Sequence, residues 1–496
     1  MNTSIIRYIL GHIIKLEGFF MLLPCVISLI YGEREIYAYL SISAVCLILG
    51  SLLTFKKAKD TVFYLKEGCI ATTLSWALLS FFAALPFILT GEIPNLTNAI
   101  FETTSGFTTT GATILTDVEA LSQTSLFWRS FTQWIGGMGV LVFLLAVVPM
   151  SGGSHINLMR AESPGPSVGK LVPKLRYTAR ILYLIYIALT IAHIVALLLA
   201  GVPWFASVCT SFSTAGTGGF GIYNSSLADF STTSQWIVTI FMLLFAINFN
   251  AFYLLVFGEI KKAFQLEEVR AFLLIVLVAI VLITLDISNM FADTFEAVTH
   301  AAFQVASIIS STGYATTDFD LWPGFSKTIL VLLMFVGACA GSTGGGIKVS
   351  RFVIMGKSII KELHLYIHPK SVKQIVMDKK EVDSGVTRSI GIYMITFFAI
   401  FVISILLIAL EEKDLVTNFT AVATTLNNCG PGLSMVGPTQ NFAHFSDLSK
   451  WVFIFDMLAG RLELFPMLLL FHPSIWHEIF VKGFRRRLKT SYTAKK

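Results

Sequence analysis

The chain has 496 residues, 55% of them hydrophobic and only 13% charged, with a formal net charge of +6. A soluble chain of this size carries about 25% charged residues, so the composition excludes a soluble domain of any size and indicates a polytopic membrane protein, for which nucleic acid is not an expected partner. The six cysteines (Cys25, Cys46, Cys69, Cys209, Cys339 and Cys429) form no C-x-x-C pair and lie mostly in apolar runs, which argues against a disulfide framework or a zinc site.

Crossing a bilayer as a helix takes about 20 apolar residues. By that measure spans are expected at 9–31, 37–55, 69–90, 125–149, 180–201, 235–257, 271–290, 325–345, 388–410 and 449–471. The first run follows Arg7, contains Lys15 and Glu17, and has no small-residue cleavage site after it. It is expected to be a retained helix rather than a removed signal peptide, with Lys15 and Glu17 paired or near the inner interface. Four apolar segments, 95–106, 204–214, 295–310 and 415–427, are too short to cross and are expected to be re-entrant. With both termini inside, the inner segments are 1–8, 56–67, 150–180, 258–270, 346–388 and 472–496. They hold every lysine and arginine except Lys15, Arg34, Arg129, Lys327, Lys413, Lys450 and Arg461. That distribution obeys the positive-inside rule, so the short segments enter from outside. On this map Trp128 and Arg129 are ordinary anchors at an outer boundary. Glu102 opens the first short helix, where a carboxylate suits the positive dipole end.

Each short segment runs into a glycine preceded by small or hydroxylated residues: TTTGAT (108–113), AGTGGF (215–220), SSTGYA (310–315) and NNCGPG (427–432). The glycines are Gly111, Gly218, Gly313 and Gly430. Small residues that merely ease helix packing explain one such cluster, but not four at the same place in four similar units. The expected fold is therefore an all-α membrane protein of four pseudo-symmetric units, each a span, a short re-entrant helix, a glycine loop and a span. The division is a helix pair at 1–67, units at 68–174, 175–265 and 266–384, and a fourth unit with the C-terminal tail at 385–496. Non-helical backbone at membrane depth is tolerated only in protein or around a wet cavity. Glycine lets carbonyls turn inward, and a ring of carbonyls replaces a cation's hydration shell. The expected cation-binding residues are Thr109, Thr110 and Gly111, then Gly216, Thr217 and Gly218, then Ser311, Thr312 and Gly313, and finally Asn428, Cys429 and Gly430.

Three stretches, FETTSGFTTTGAT (101–113), FWRSFTQWIGGMG (127–139) and GACAGSTGGGIKVSR (337–351), resemble the Trk/Ktr/HKT superfamily of potassium transporters. The similarity covers nearly the whole chain and is closest to the bacterial TrkH-like branch, which carries an extra N-terminal helix pair. The resemblance implies four potassium-channel-like M1–P–M2 repeats around one pore, a homodimer, and potassium uptake across the bacterial inner membrane. It implies regulation by a cytosolic nucleotide-binding ring of the TrkA type, so that any nucleotide sits on the partner and K+ is the cargo of this chain. In the superfamily, glycine in the first filter goes with potassium and serine with sodium; here the position is Gly111. The fourth loop, NNCGPG, departs most from the pattern.

GSTGGGIK (341–348) superficially matches a phosphate-binding loop, but Ile347 separates Gly346 from Lys348 and the segment ends a span rather than a strand. Six small residues, Gly341, Ser342, Thr343, Gly344, Gly345 and Gly346, hold a helix poorly; a simple helix end is the plain alternative. The resemblance makes residues 337–346 an intramembrane gate loop. Arg461 lies in the last span, where a charge is expensive and functional by default. It is expected to face the pore near the gate as an electrostatic barrier, with Asp456 and Glu463 as candidate partners and a structural ion pair as the alternative. His364 and His368, at i and i+4, lack a third ligand for a metal. The basic segment 346–388 and the RRRLK run (485–489) suit anionic lipid or a cytosolic partner. A sodium- or proton-coupled symporter stays open, with Asp456 and Glu463 as relay candidates. An intramembrane enzyme lacks a carboxylate–histidine cluster or a G-x-S-x-G motif.

Overall fold

The structure is a computed structural model and describes residues 1–56, 64–139 and 175–477. The RRRLK run lies outside them, as do residues 140–149 of the expected fourth span. Within the described residues the regular secondary structure is helical apart from a hairpin pairing Val376–Met377 with Lys380–Glu381.

Six helical stretches among the described residues are long and apolar enough to cross a membrane. The first, α1 (Thr3–Phe20) and α2 (Leu22–Tyr31), packs on α3 (Ile36–Phe55). A Cβ on Gly50 would sit 2.6 Å from the Gly11 carbonyl oxygen, so this pair meets backbone to backbone. The other four are α4 (Leu65–Thr90), α7 (Leu175–Leu199), α12 (Glu267–Ile287) and α16 (Ser384–Ile408). Leu277, Leu285, Ile395 and Leu406 are among the large apolar side chains they leave exposed. A soluble surface rarely carries such belts; lipid accepts them.

The four short segments are helices as expected: α5 (Leu96–Phe107), α8 (Trp204–Gly216), α13 (Thr294–Ile309) and α17 (Leu415–Leu426). Asn95, Asp293 and Asp414 cap three of them by accepting from the backbone N–H three residues on. Outside the membrane-spanning segments, the Thr417 hydroxyl and amide hold the Asp414 carboxyl below its ordinary range.

The expected spans at 125–149, 235–257, 325–345 and 449–471 need correction. Their described helices are α6 (Gln123–Gly137), α9 (Thr232–Ala246), α14 (Gly324–Val336) and α18 (Asp447–Arg461), of 15, 15, 13 and 15 residues. At about 1.5 Å per residue, 15 residues reach only ~22 Å. The chain bends by 93° between α9 and α10 (Phe249–Val256). After α14 it leaves helical geometry until α15 (Val349–Ile367). Apolar composition suggested continuous spans, but tertiary contacts stop these helices. A Cβ on Gly136 would run into the Phe107 carbonyl, and one on Gly460 into the Leu426 carbonyl, which are the last residues of α5 and α17. We therefore expect Gly136→Ala to destabilise the protein by about 1–3 kcal/mol through overpacking. The check is a lowered midpoint of thermal unfolding in detergent; an unchanged midpoint would contradict the close approach.

Packing closes these elements into a circle. Helix α8 packs on α6, α13 on α9, α17 on α14, and α5 returns to α18. Each short helix also packs against the long helix before it and the helix after it. The C-terminal ends of all four short helices are buried.

Candidate functional site

All four loops leave their short helix in the same way. The amides of Thr109, Thr217, Ser311 and Asn428 donate to the carbonyls three residues back, Gly106, Thr214, Ile308 and Thr425, at 3.0, 3.0, 3.0 and 3.3 Å. The next amides, of Thr110, Gly218, Thr312 and Cys429, donate five residues back to Ser105, Ser213, Ser307 and Thr424 at 2.9, 2.8, 2.8 and 2.9 Å. These are the paired closures of a left-handed helix C-cap. The capping residues have φ of 55°, 56°, 60° and 53°, and the glycines two positions later, Gly111, Gly219, Gly313 and Gly430, have φ of 83°, 73°, 88° and 93°. A threonine in the left-handed region is strained, because its Cβ is branched. Such strain collects at functional sites, and Thr109 and Thr217 both carry it.

This geometry shifts the second loop by one residue relative to the sequence expectation. Gly216 ends α8, and the residues equivalent to Thr109, Thr110 and Gly111 are Thr217, Gly218 and Gly219. Sequence comparison aligned the Thr-Gly pairs. The shared pattern is instead a polar residue, any residue, then glycine, and it reads T-T-G, T-G-G, S-T-G and N-C-G. The fourth loop has the same backbone form as the others, and its Cys429 thiol is buried against the Ile308 carbonyl at 3.5 Å.

The four loops meet in a closed cycle. A Cβ on Gly111 would strike the Gly218 carbonyl oxygen, and one on Gly219 the Thr312 oxygen. One on Gly313 would lie 2.5 Å from the Cys429 oxygen, and one on Gly430 2.9 Å from the Thr110 oxygen. The carbonyls in this cycle are the equivalent ones, of Thr110, Gly218, Thr312 and Cys429. Asn428 adds a cross-link by donating from Nδ2 to the Thr110 hydroxyl at 2.9 Å and to the Met457 carbonyl at 2.9 Å.

The glycine-rich segment lies directly against two of these loops. Gly346 N donates to the Asn427 carbonyl at 2.8 Å, Gly345 N donates to the Ser311 hydroxyl, and a Cβ on Gly344 would sit 2.7 Å from the Ser310 oxygen. Gly337, Gly341 and Gly346 have φ of 66°, 70° and 78°, so the segment is neither a helix end nor a phosphate-binding turn entering a helix from a strand. Arg461 is buried and reaches it: Nη1 donates to the Thr343 carbonyl at 2.9 Å, and Nη2 donates to the Gly137 carbonyl at 2.8 Å and to that of Gly136. Its expected carboxylate partners are engaged elsewhere, Asp456 with the Ser404 hydroxyl at 2.8 Å and Glu463 with Arg351. Lys348 Nζ donates to the carbonyls of Gly345, at 3.1 Å, and Gly344.

Several expectations away from the loops change. Trp128 and Arg129 are buried rather than outer anchors, and Arg129 pairs with Glu102 at 2.7 Å. Glu102 therefore does not open the first short helix: α5 begins at Leu96 with Asn95 as its cap, and Glu102 sits in the second turn as the partner of Arg129. Glu17 is buried with no hydrogen-bond partner for either oxygen among the described residues. All six cysteines are unpaired and buried.

Fold and site together define a multi-pass helical membrane protein in which four short helices aim their C-termini at one ring of backbone carbonyls. The profile of the TrkH family, described as a cation transport protein, matches residues 37–478, and the chain belongs to that family, one of transporters and not of enzymes. It is 36% identical over 486 residues to the Trk system potassium uptake protein TrkH of Salmonella typhimurium, covering 96% of this chain and 100% of the relative. It is 34% identical to the Trk system potassium uptake protein TrkG of Escherichia coli with the same coverage. The crystal structure of the potassium transporter TrkH from Vibrio parahaemolyticus superposes with a TM-score of 0.87 at 33% identity, over 96% of this chain and 100% of that one.

Proposed function

We propose that this chain takes up potassium across the bacterial inner membrane through one pore, with its four units acting as M1–P–M2 repeats and its four loops as the selectivity filter. The observation that carries the reading is the closed cycle of equivalent carbonyls from Thr110, Gly218, Thr312 and Cys429. A dehydrated cation needs oxygens on every side, and four helix C-termini add the negative ends of their dipoles. The filter residues are Thr109, Thr110, Gly111, Thr217, Gly218, Gly219, Ser311, Thr312, Gly313, Asn428, Cys429 and Gly430. Residues 337–346 form the gate and Arg461 holds it closed. The relatives' names, as parts of a Trk system, support association with a further Trk component, which on this reading is a cytosolic nucleotide-binding ring of the TrkA type. A homodimer and cytoplasmic termini complete the assembly.

The test is ion flux into liposomes holding the purified protein, with potassium, rubidium, sodium and lithium compared. Potassium and rubidium should enter at least tenfold faster than sodium, a discrimination of about 1.4 kcal/mol; equal sodium and potassium flux would sink the filter. A proton-coupled symporter is the second reading, favoured by Asp456, whose Oδ2 is buried with no hydrogen-bond partner among the described residues. Potassium-dependent acidification of the liposome lumen that Asp456→Asn abolishes would support it.

A further inference from the structure

The first quarter of the ring is built differently from the other three. Glu102, in the second turn of α5, is buried, and its Oε1 accepts from Arg129 Nη2 at 2.7 Å and Nε at 2.9 Å. The same carboxylate accepts from the Thr113 hydroxyl at 2.9 and 3.0 Å and from the Ile114 amide at 3.0 Å. Thr113 and Ile114 belong to the non-helical segment that leaves the first loop. Arg129, from α6, sits with its guanidinium 4.1 Å above the Phe220 ring and donates from Nη1 to the Gly221 carbonyl at 3.2 Å. Phe220 and Gly221 belong to the non-helical segment that leaves the second loop. One ion pair thus ties together the short helix of the first unit, its following helix, and the exits of two adjacent loops.

The other units have no counterpart at equivalent positions. Counting eight residues back from the ring carbonyl places Glu102 with Thr210, Gln304 and Ala421. Counting from the N-caps Ser122, Ser231, Pro323 and Ser446 places Arg129 with Val238, Leu330 and Phe453. Val238, Leu330 and Phe453 are fully buried, so three quarters hold this contact with uncharged packing. A buried pair is weak evidence for stability, because hydrophobic replacements are often as stable. Its retention here calls for another reason, and the geometry supplies one: two charge-assisted bonds from one guanidinium onto a single carboxylate oxygen fix orientation more tightly than packing does.

We propose that the Glu102–Arg129 pair is a positioning brace that sets the spacing of the first and second filter loops and thereby the preference for potassium over sodium. The inference rests on the filter reading. Losing the pair lets the Thr110 and Gly218 carbonyls relax toward a less size-selective site while conduction continues. Both residues act through the loops and touch no ion.

The decisive variant is E102Q/R129L, which copies the third unit and leaves no unpaired buried charge. It is compared with the unaltered chain in liposomes for rubidium and sodium flux, and in detergent for thermal unfolding. The expected result is a protein that folds and conducts rubidium, with its rubidium-to-sodium flux ratio reduced about tenfold. Arg129→Lys keeps the charge but loses the fixed pair of guanidinium donors, and should give an intermediate ratio. A double variant that keeps the original ratio overturns the brace, whatever its thermal midpoint, and so does an Arg129→Lys ratio unchanged if the double variant fails to fold. If the unaltered chain itself shows no preference, the filter reading fails rather than the brace.

Discussion

Replacing Gly111 with serine should lower the potassium-to-sodium flux ratio in liposomes by tenfold or more. Gly111 sits at φ 83°, and any side chain there would be driven toward the Gly218 carbonyl of the neighbouring loop. Overpacking at such a contact costs about 1–3 kcal/mol. If that strain moves the ring carbonyls, ten- to hundredfold of selectivity follows at about 1.4 kcal/mol per tenfold. Gly219→Ala should act alike, because Gly219 has φ 73° and its Cβ would strike the Thr312 carbonyl. A Gly219→Ala protein with the original ratio would show that the second loop does not take part as proposed. If Gly111→Ser alone kept the ratio, the first loop would be excluded from discrimination.

Arg461→Ala should raise potassium flux. The guanidinium clamps the glycine-rich segment, through Thr343, to the end of α6, through Gly136 and Gly137. Hydrogen bonds from a charged donor contribute about 1.5–3 kcal/mol each, so losing even one shifts an open–closed equilibrium by roughly tenfold or more. On the proposed gating reading the substitution also removes a positive charge from the ion's path, which acts in the same direction. It leaves carbonyls rather than a charge unpaired, so the fold should survive. Shortening the segment by removing residues 342–345 should produce the same rise. Flux unchanged or lower in both folded variants would end the gating role of the segment and of Arg461.

Much of the architecture was legible in the sequence. The short segments at 95–106, 204–214, 295–310 and 415–427 are the helices α5, α8, α13 and α17, to within a few residues, because apolar runs of that length between turn residues have few other fates in a membrane. Six of the expected spans were equally plain. The other four were overestimated. The span at 235–257 bends at Ile247–Asn248, and in the other three Gly136, Gly337 and Gly460 lie in apolar surroundings that read as continuous helix. Only the neighbouring backbone of Phe107, Gly346 and Leu426 shows that the chain must break or press close there.

The site divides in the same way. Local sequence exposed four glycine loops because the positive-φ position two residues after each left-handed cap presses on a neighbouring carbonyl and so favours a residue without a Cβ, and those glycines are visible one at a time. It could not fix the register of the second loop, since AGTGGF offers three glycines and only the hydrogen bonds from Thr217 and Gly218 select Gly219. Nor could it assign partners to charges. Glu102 and Arg129 stand 27 residues apart, Arg461 and Thr343 stand 118 apart, and their pairing depends on how helices close into a circle. Composition and local pattern determined that this protein is a polytopic helical membrane protein with four short helices that each run into a glycine turn, because both follow from the chain's local chemistry. The closing of those turns into one ring, and the ties of Arg129 and Arg461 to it, were decided by tertiary packing, because each joins backbone groups that the sequence keeps far apart.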